Sequence, residues 1–358
     1  MTQVARGQML KLLRICRLSG VCLLGLVALS GCHSEPKAFS IDGETMGTTY
    51  TVKVVGTSAG DKSELLAAEI DAALAEINQQ MSTYLADSEL TLFNRSDALE
   101  WTDVSPATAE VVRIAREISA ETGNAFDPTV SPWVELWGFG ADPRQNSSPA
   151  PEKIAKIQGR IGAHRLESQN QPPALRRLDI GVQLDLSGIA KGYAVDVIAG
   201  ILESHSVQGY MIEIGGEVRA TGVNANGRCW KIGIEAPTVD QRGIGQVVEL
   251  RDASLATSGD YRNFFVEDGK RYSHIIDPRT GYPIDHGLAS VSVIEEKCIR
   301  ADAVATALMV MGPEEGFDFA RQHEIAALFW VLNRDGEFEQ KMTPRFSELK
   351  AGEGVTNP

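Results

Sequence analysis

The segment Val182-Gln183-Leu184-Asp185-Leu186 alternates apolar and polar residues and runs directly into Ser187-Gly188-Ile189-Ala190-Lys191-Gly192. Strict alternation is typical of a half-buried strand, and the pattern that follows predicts a helix continuing to about Ser204. Backbone N–H groups at a helix start favour anions, and Lys191 falls in the first helical turn. The segment therefore predicts a strand-to-helix turn suited to a phosphate group. The structural alternative is that Ser187 only caps the helix.

Strand signals follow this segment, and helix signals lie on both sides of them. Helices are predicted over residues 62–80, after Pro106, and over Ala301–Met311, where Gly312-Pro313 would end the last one. The strand-like runs are Tyr50–Val54, Tyr210–Ile214, Trp230–Ile234, Gln246–Leu250 and Leu288–Ile294. This arrangement predicts an α+β fold, strand-rich, with a largely antiparallel sheet and flanking helices.

Turn and loop residues separate these elements. Asp268-Gly269 and Asp335-Gly336 each lie between strand-like runs and predict hairpins. Residues 138–151 predict a polar loop, and Pro172-Pro173 predicts a second loop at the surface. No internal repeat suggests a further domain.

The N-terminus has the pattern of an export signal. Four basic residues precede a short apolar stretch, Val21–Leu29, which is too short to span a bilayer. Leu29-Ser30-Gly31-Cys32 resembles a bacterial lipobox, so we expect a signal peptide over residues 1–31 and lipidation at Cys32. Residues 32–40 would form a tether, residues 41–345 the folded domain, and residues 346–358 a loose tail. His33 leaves open whether the inner or the outer membrane holds the anchor.

Charge and cysteine usage narrow the function classes. Removal of residues 1–31 leaves 30 basic and 48 acidic residues, a formal charge of −18. Nucleic-acid binding needs a basic surface, so this composition argues against it. Discounting the signal peptide and Cys32 leaves Cys229 and Cys298, whose pairing stays open in an oxidising compartment. The six histidines have no zinc-binding spacing.

Two further patterns point to phosphate chemistry. His274, Asp277 and Arg279 follow the first predicted hairpin, and Asp302 and Thr306 are four residues apart on a predicted helix. Oxygen donors with that spacing share one helical face, and such donors suit Mg²⁺. Each pattern alone also has a structural explanation, because an Asp near a helix start complements the dipole and a helical Thr bonds to a carbonyl.

Eight short motifs follow one another along the mature chain. They are Thr45-Met46-Gly47-Thr48-Thr49-Tyr50, Met81-Ser82-Thr83-Tyr84, Asn124-Ala125-Phe126-Asp127-Pro128, Asp185-Leu186-Ser187-Gly188-Ile189-Ala190-Lys191-Gly192-Tyr193, Ile214-Gly215-Gly216-Glu217, Ala256-Thr257-Ser258-Gly259-Asp260-Tyr261, His274-Ile275-Ile276-Asp277-Pro278-Arg279-Thr280-Gly281 and Ala301-Asp302-Ala303-Val304-Ala305-Thr306-Ala307. In this order they resemble the FAD:protein FMN transferase (ApbE) family, over about Met46 to Gln340.

The resemblance implies a reaction and a setting. The family cleaves the pyrophosphate of FAD and transfers FMN to a Thr or Ser hydroxyl of a target protein, releasing AMP. Its acceptors are subunits of membrane redox complexes, of the sodium-pumping quinone reductase (Nqr) and Rnf types. The implied fold is α+β and related to the tunnelling fold, and the lipoprotein signal implies a membrane-anchored protein facing the periplasm. Two alternatives remain open: a Mg²⁺-dependent hydrolase of FAD, and a flavin-binding carrier without turnover.

The resemblance also implies roles for individual residues. FAD contacts are implied for Met46, Tyr84, Ala125, Phe126, Asp127, Asp185, Lys191 and Ile276. Mg²⁺ would be bound by the Asp302 carboxylate, the Thr306 hydroxyl and the Gly188 carbonyl. His274 is the expected base for the acceptor hydroxyl, with Asp277 as the weaker candidate. Arg279 is expected either to contact phosphate or to stabilise its own turn.

Overall fold

An antiparallel sheet of eight strands forms the centre of the fold. The computed structural model describes residues 38–56, 62–141, 147–237, 243–260 and 263–351. The strands of the central sheet, in spatial order, are β1 (Ala38–Thr45), β2 (Thr48–Val55), β6 (Gly209–Ile214), β7 (Glu217–Thr221), β10 (Ala253–Gly259), β15 (Leu288–Glu295), β16 (Ala326–Leu332) and β17 (Phe338–Met342). Every neighbouring pair in this sheet is antiparallel. The predicted fold class is confirmed.

Eight α-helices within the described residues accompany this sheet. They are α1 (Ser63–Met81), α2 (Glu89–Arg95), α3 (Pro106–Glu121), α4 (Ser131–Leu136), α5 (Pro151–Gln158), α6 (Ala190–Ser204), α7 (Cys298–Gln322) and α8 (Pro344–Ala351). The main core lies between α1, α6, α7 and the sheet. The helix predicted after Pro106 is confirmed as α3, and Val111, Ala115 and Ile118 are buried on one of its faces.

Smaller strands and a second core complete the fold. The two-stranded sheets are β8 (Trp230–Ala236) with β9 (Gly243–Leu250), β11 (Phe264–Glu267) with β12 (Lys270–Ser273), and β13 (Ile276–Asp277) with β14 (Tyr282–Pro283); β3 (Thr102–Asp103), β5 (Pro173–Arg177) and β4 (Leu166–Asn170) form a three-stranded sheet. Residues of β8, β9 and α8 pack on the face of the central sheet opposite the main core. Strand β15 is buried almost throughout because both of its faces are covered.

Both predicted hairpins are confirmed. The loop predicted at Pro172-Pro173 belongs to a third hairpin, formed by β4 and β5. Asp268 (φ 50°) and Gly269 (φ 77°) both adopt the positive φ that a tight two-residue hairpin turn needs, and β16 and β17 flank Asp335-Gly336. Pro172 lies in the turn between β4 and β5, whose pairing the sequence did not predict.

The segment Val182–Leu186, predicted as a strand, is not a strand. Residues Val182, Leu184 and Leu186 are buried, as the alternation predicts, but the segment pairs with no strand in the described part of the chain. The side chain of Asn94 instead accepts from the Leu184 N–H at 2.8 Å and donates to its carbonyl at 2.8 Å. A side chain thus satisfies the backbone groups that a neighbouring strand would otherwise pair.

Three predicted boundaries differ from the structure. The helix predicted over Ala301–Met311 begins earlier, at Cys298, and continues beyond a break at Gly312 (φ 84°). The first strand begins at Ala38, inside the predicted tether, and α8 with the buried Phe346 extends into the predicted loose tail. Residues 1–37 and 352–358, with the predicted signal peptide and Cys32, lie outside the described residues. Cys229 and Cys298 are free thiols, and no described helix is long and apolar enough to cross a membrane.

Candidate active site

A cavity of about 400 Å³ lies where the starts of α6 and α7 approach the end of β10 and the β11–β12 hairpin. Its walls are made by residues that are far apart in the sequence. Eleven of the thirteen predicted site residues line it: Tyr84, Ala125, Phe126, Asp127, Asp185, Gly188, Lys191, His274, Ile276, Asp302 and Thr306. Met46 and Asp277 are not among the lining residues. The fold therefore collects most of the motifs into a single site.

Oxygen donors meet at one corner of this cavity. Asp302 and Thr306 are one turn apart on α7, and the Thr306 hydroxyl lies 3.2 Å from the Ser258 hydroxyl on β10. A Cβ placed on Gly188 would lie 3.2 Å from Thr306 Oγ1 and 3.3 Å from the Phe126 ring, so glycine allows the backbone to approach this closely. A carboxylate, a hydroxyl and a backbone carbonyl are the hard ligands that Mg²⁺ prefers, so the chemistry of the three predicted ligands fits a magnesium ion.

Helix α6 holds the Asp302 carboxylate in place. The backbone N–H of Gly192 donates to Asp302 Oδ2 at 2.9 Å, and Asp302 is only 3% exposed. Burial raises the pKa of the Asp302 carboxyl above its usual range, against the opposing effect of the Lys191 charge. A carboxylate in such a place gains from a cation beside it.

A buried ion pair lines the same wall and was not predicted. Lys191 Nζ lies 2.5 Å from Glu217 Oε2, and the Glu217 side chain is only 2% exposed. Burial raises the pKa of Glu217 above its usual range, with Lys191 opposing and the Asp302 charge adding to the rise. Burial alone would lower the pKa of Lys191, but the charges of Glu217 and Asp302 outweigh it and raise that pKa. Because the charges of Lys191, Glu217 and Asp302 influence one another, the protonation of each group depends on that of the others.

His274 is arranged to accept a proton. Its Nδ1 lies 2.9 Å from the Asn263 carbonyl oxygen. Because a carbonyl can only accept, Nδ1 must carry the hydrogen, which leaves the lone pair on Nε2. Burial lowers the pKa of His274, although the bond to Asn263 opposes this. The edge of the imidazole also packs against Phe139, with 6.3 Å between the ring centroids. The imidazole is therefore neutral near pH 7.

Asp277 and Arg279 stabilise their own turn. The Arg279 guanidinium donates to both carboxylate oxygens of Asp277, at 3.0 and 3.1 Å, and to Glu315 at 2.6 Å. The Arg279 backbone N–H adds a bond of 2.8 Å to Asp277 Oδ1. Both carboxylate oxygens of Asp277 thus accept hydrogen bonds from Arg279. The geometry therefore favours His274 as the base and a structural role for Arg279.

The remaining predicted contacts differ in their surroundings. Met46 lies in the β1–β2 turn with φ 48° and packs against the main core; its contact with FAD stays a prediction. Asp127 is buried and accepts from Thr129 and from the Ala163 N–H, which fixes the loop that carries Phe126. Tyr84 is 73% exposed. An exposed aromatic ring in the cavity wall can stack on a flat ring system.

Several lining residues were missed when roles were assigned from the sequence. They include Ser187, Glu217, Thr257, Ser258, Gly259 and Asn263. Most of these residues belong to the eight sequence motifs, so membership of a motif could have identified them as site residues. Asn263 contributes a backbone carbonyl to His274, and no residue-type pattern reveals such a contact.

Comparison with known proteins agrees with this geometry. Residues 46–329 match the model of the ApbE family. The FAD:protein FMN transferase of Vibrio cholerae is 43% identical over 316 residues, which cover 88% of this chain and 94% of that relative. The corresponding transferase of Haemophilus influenzae is 39% identical, with coverage of 93% and 97%.

Solved structures give the same result. The flavin transferase ApbE from Vibrio cholerae superposes with a TM-score of 0.80 and 42% identity, covering 87% of this chain and 99% of that one. The flavinyl transferase ApbE from Pseudomonas stutzeri, in its apo form, has a TM-score of 0.81 and 40% identity, with coverage of 89% and 98%. The family match spans most of the chain, and the chain belongs to the ApbE family.

Proposed function

We propose that this protein is an FAD:protein FMN transferase. It cleaves FAD, attaches FMN through a phosphoester bond to a Thr or Ser of a target protein, and releases AMP. One observation carries the proposal: a single cavity combines a histidine whose lone pair lies on Nε2 with a corner of hard oxygen donors. Relatives that are similar to this chain over most of its length are named FAD:protein FMN transferase.

His274 performs the proton transfer in this mechanism. Its Nε2 accepts the proton of the acceptor hydroxyl while the hydroxyl oxygen attacks the phosphorus of the FMN half. A new P–O bond to the acceptor forms, the bond to the bridging pyrophosphate oxygen breaks, and AMP leaves with that electron pair. Because Nδ1–H is held by the Asn263 carbonyl, the imidazole keeps one orientation, and Nε2 is the nitrogen that takes up and gives back the proton.

The Asp302 carboxylate, the Thr306 hydroxyl and the Gly188 carbonyl would hold Mg²⁺. When bound, this ion offsets negative charge on the pyrophosphate. Lys191 adds a fixed positive charge on the same wall. Such local positive charge favours binding of the anionic pyrophosphate, which the acidic protein as a whole would otherwise repel.

Apolar and aromatic side chains would bind the ring systems of FAD. Phe126 and Ile276 supply buried apolar surface, Ala125 leaves space beside them, and Tyr84 supplies an exposed ring. Flat ring systems favour such surroundings. The carboxylate of Asp185 accepts from the Ser187 N–H at 2.8 Å, which fixes the turn ahead of α6.

The proposal extends to where the protein works. Residues 1–31 would direct export, and lipidation of Cys32 would hold the domain at the membrane, facing the periplasm. The acceptors would be Thr- or Ser-bearing subunits of membrane redox complexes of the Nqr or Rnf type. The motifs Leu29–Cys32 and the basic N-terminal residues support this part of the proposal.

The intact mass of an acceptor subunit tests the reaction. The chain from His33 onward is incubated with FAD, Mg²⁺ and a threonine-bearing acceptor, with an EDTA-treated sample beside it. We expect the acceptor to gain one FMN phosphodiester only when Mg²⁺ is present. Free FMN and AMP with an unmodified acceptor would indicate the hydrolase instead, and intact FAD in every sample would contradict both enzymatic functions.

A further inference from the structure

Glu217 has no part in the chemistry described above, yet it lines the same cavity. It is the first residue of β7, directly after the turn Gly215-Gly216, in which both residues have positive φ (58° and 109°). Backbone pairing of Glu217 with Ile214 in the β6–β7 hairpin fixes its position. Its carboxyl group is therefore held on a rigid element and turned into the cavity wall.

The partner of Glu217 is held equally firmly. Lys191 is the second residue of α6, and the next residue, Gly192, packs directly against α7. The 2.5 Å contact between Lys191 Nζ and Glu217 Oε2 thus joins a helix start to a strand start. The Glu217 side chain is buried, whereas that of Lys191 is partly exposed. A buried charge is costly without a partner, so Glu217 depends on Lys191.

The Asp302 carboxylate lies beside the Lys191–Glu217 pair, because its Oδ2 accepts from the N–H of Gly192, the residue after Lys191, and all three side chains line the same cavity. The Asp302 charge accordingly contributes to the raised pKa of Lys191. The same carboxylate would hold a metal ion. An ammonium released from Glu217 would turn to the other buried carboxylate and compete with a metal ion for it.

We propose that Glu217 is a positioning residue that holds the Lys191 ammonium toward the phosphates of the substrate and away from the metal-binding oxygen of Asp302. The proposal rests on the proposed function for the identity of the phosphate ligand and for the metal ion at Asp302. Glu217 does not touch the reacting atoms and acts through Lys191. One cation of the chain and one bound metal ion can then share a small acidic corner without excluding each other.

A double-mutant cycle on the full-length chain, purified in detergent, tests this. The variants are Glu217→Gln, Lys191→Met and the double variant. Mn²⁺ affinity is measured by titration calorimetry in the absence of FAD, so that the result does not depend on turnover. We expect Glu217→Gln to weaken Mn²⁺ binding about tenfold, because the free ammonium competes for Asp302. Lys191→Met should bind Mn²⁺ at least as tightly as the unmodified chain, and the double variant should recover to within about threefold.

Recovery in the double variant is the decisive result. A structural defect, or direct metal binding by Glu217, would leave the double variant as weak as Glu217→Gln or weaker, and either outcome would overturn the proposal. Unchanged Mn²⁺ affinity in Glu217→Gln would overturn it as well. If Glu217→Gln does not fold, loss of Mn²⁺ affinity in Lys191→Met alone would still contradict the proposal.

FAD binding gives an independent measurement. Flavin fluorescence should show FAD affinity about tenfold weaker in Glu217→Gln, and no further effect of that change when Lys191 is already Met. Additive losses would mean that Glu217 contacts FAD by itself. Glu203→Gln is the matched control, since Glu203 accepts from Tyr210 and Arg219 at the other end of α6; it should change neither affinity. If no FMN transfer occurs at all, the Mn²⁺ cycle remains readable.

Discussion

The close contact between α6 and α7 at Gly192 permits a quantitative prediction. A Cβ placed on Gly192 would lie 2.4 Å from the Cys298 carbonyl oxygen and 2.8 Å from Asp302 Cβ. The obstructing atoms are backbone and the root of a side chain, so the two helices must move apart. The change Gly192→Ala therefore disturbs both the packing and the position of the proposed metal ligand Asp302.

The size of the effect follows from two opposing terms. Overpacking costs about 1–3 kcal/mol, and here the upper part of that range applies because backbone atoms obstruct. The helix preference of Ala over Gly offsets about 1 kcal/mol, leaving a net loss of about 2 kcal/mol. With an unfolding entropy near 2.1 cal/mol/K per residue and roughly 300 folded residues, this lowers Tm by about 3 °C.

Gly200 provides the matched control on the same helix. It is exposed, and a Cβ placed there meets no atom within 4 Å. We expect Gly200→Ala to raise the free energy of unfolding by up to about 1 kcal/mol. Thermal unfolding followed by circular dichroism compares the two variants with the unmodified chain. A Gly192→Ala variant that is as stable as the unmodified chain would refute the packing described for α6 and α7.

Other predictions concern single groups of the site and its support. His274→Ala should lower turnover about 10²–10⁴-fold with FAD affinity nearly unchanged; equal loss of both would rule out the base assignment. Because burial lowers the pKa of His274 and only the neutral ring accepts a proton, the acid limb of turnover against pH should lie below the ordinary value of 6.5; a limb above it would contradict this. Asp302→Ala should abolish Mg²⁺-dependent turnover, and unaltered Mg²⁺ dependence would exclude the ligand set. Asn94→Ala should lower the free energy of unfolding in urea by about 2–4 kcal/mol, since it leaves the N–H and carbonyl of Leu184 unpartnered; a loss below about 0.5 kcal/mol would show that water replaces the amide.

Periodicity predicted the regular elements well because their burial is regular. The residues at helical spacing in α1, Leu66, Ile70, Leu74 and Ile77, are buried. The alternation in Val182–Leu186 also reported burial correctly. It failed as a strand prediction because burial alternates in any extended chain, and only the partner, here Asn94, decides whether a strand forms.

Some contacts of the site could not be predicted from the sequence, for a similar reason. The motifs identified most of the cavity wall, because each contributes one or two side chains to it. They did not indicate that Asp277 is occupied by Arg279, or that Glu217 pairs with Lys191. Such pairings depend on distances between separate elements, which a single sequence does not contain.

The break in α7 shows what a local signal can and cannot predict. Gly312-Pro313 predicted the end of the helix, and Gly312 does leave the helical conformation. Because proline fits the first turn of a helix, Pro313 then opens a second helical segment that continues to Gln322. The dipeptide thus marks the interruption correctly, whereas the residues after it decide whether the chain resumes a helix.

The position of the first strand limits the working range of a membrane-bound form. Strand β1 begins at Ala38, six residues after the lipid site proposed at Cys32. Six residues of fully extended chain span about 20 Å. An enzyme anchored in this way would stay close to the lipid headgroups and would not reach acceptors in the bulk periplasm. Selection of acceptors would then begin with geometry, since a threonine or serine displayed far above the bilayer lies beyond reach whatever sequence surrounds it.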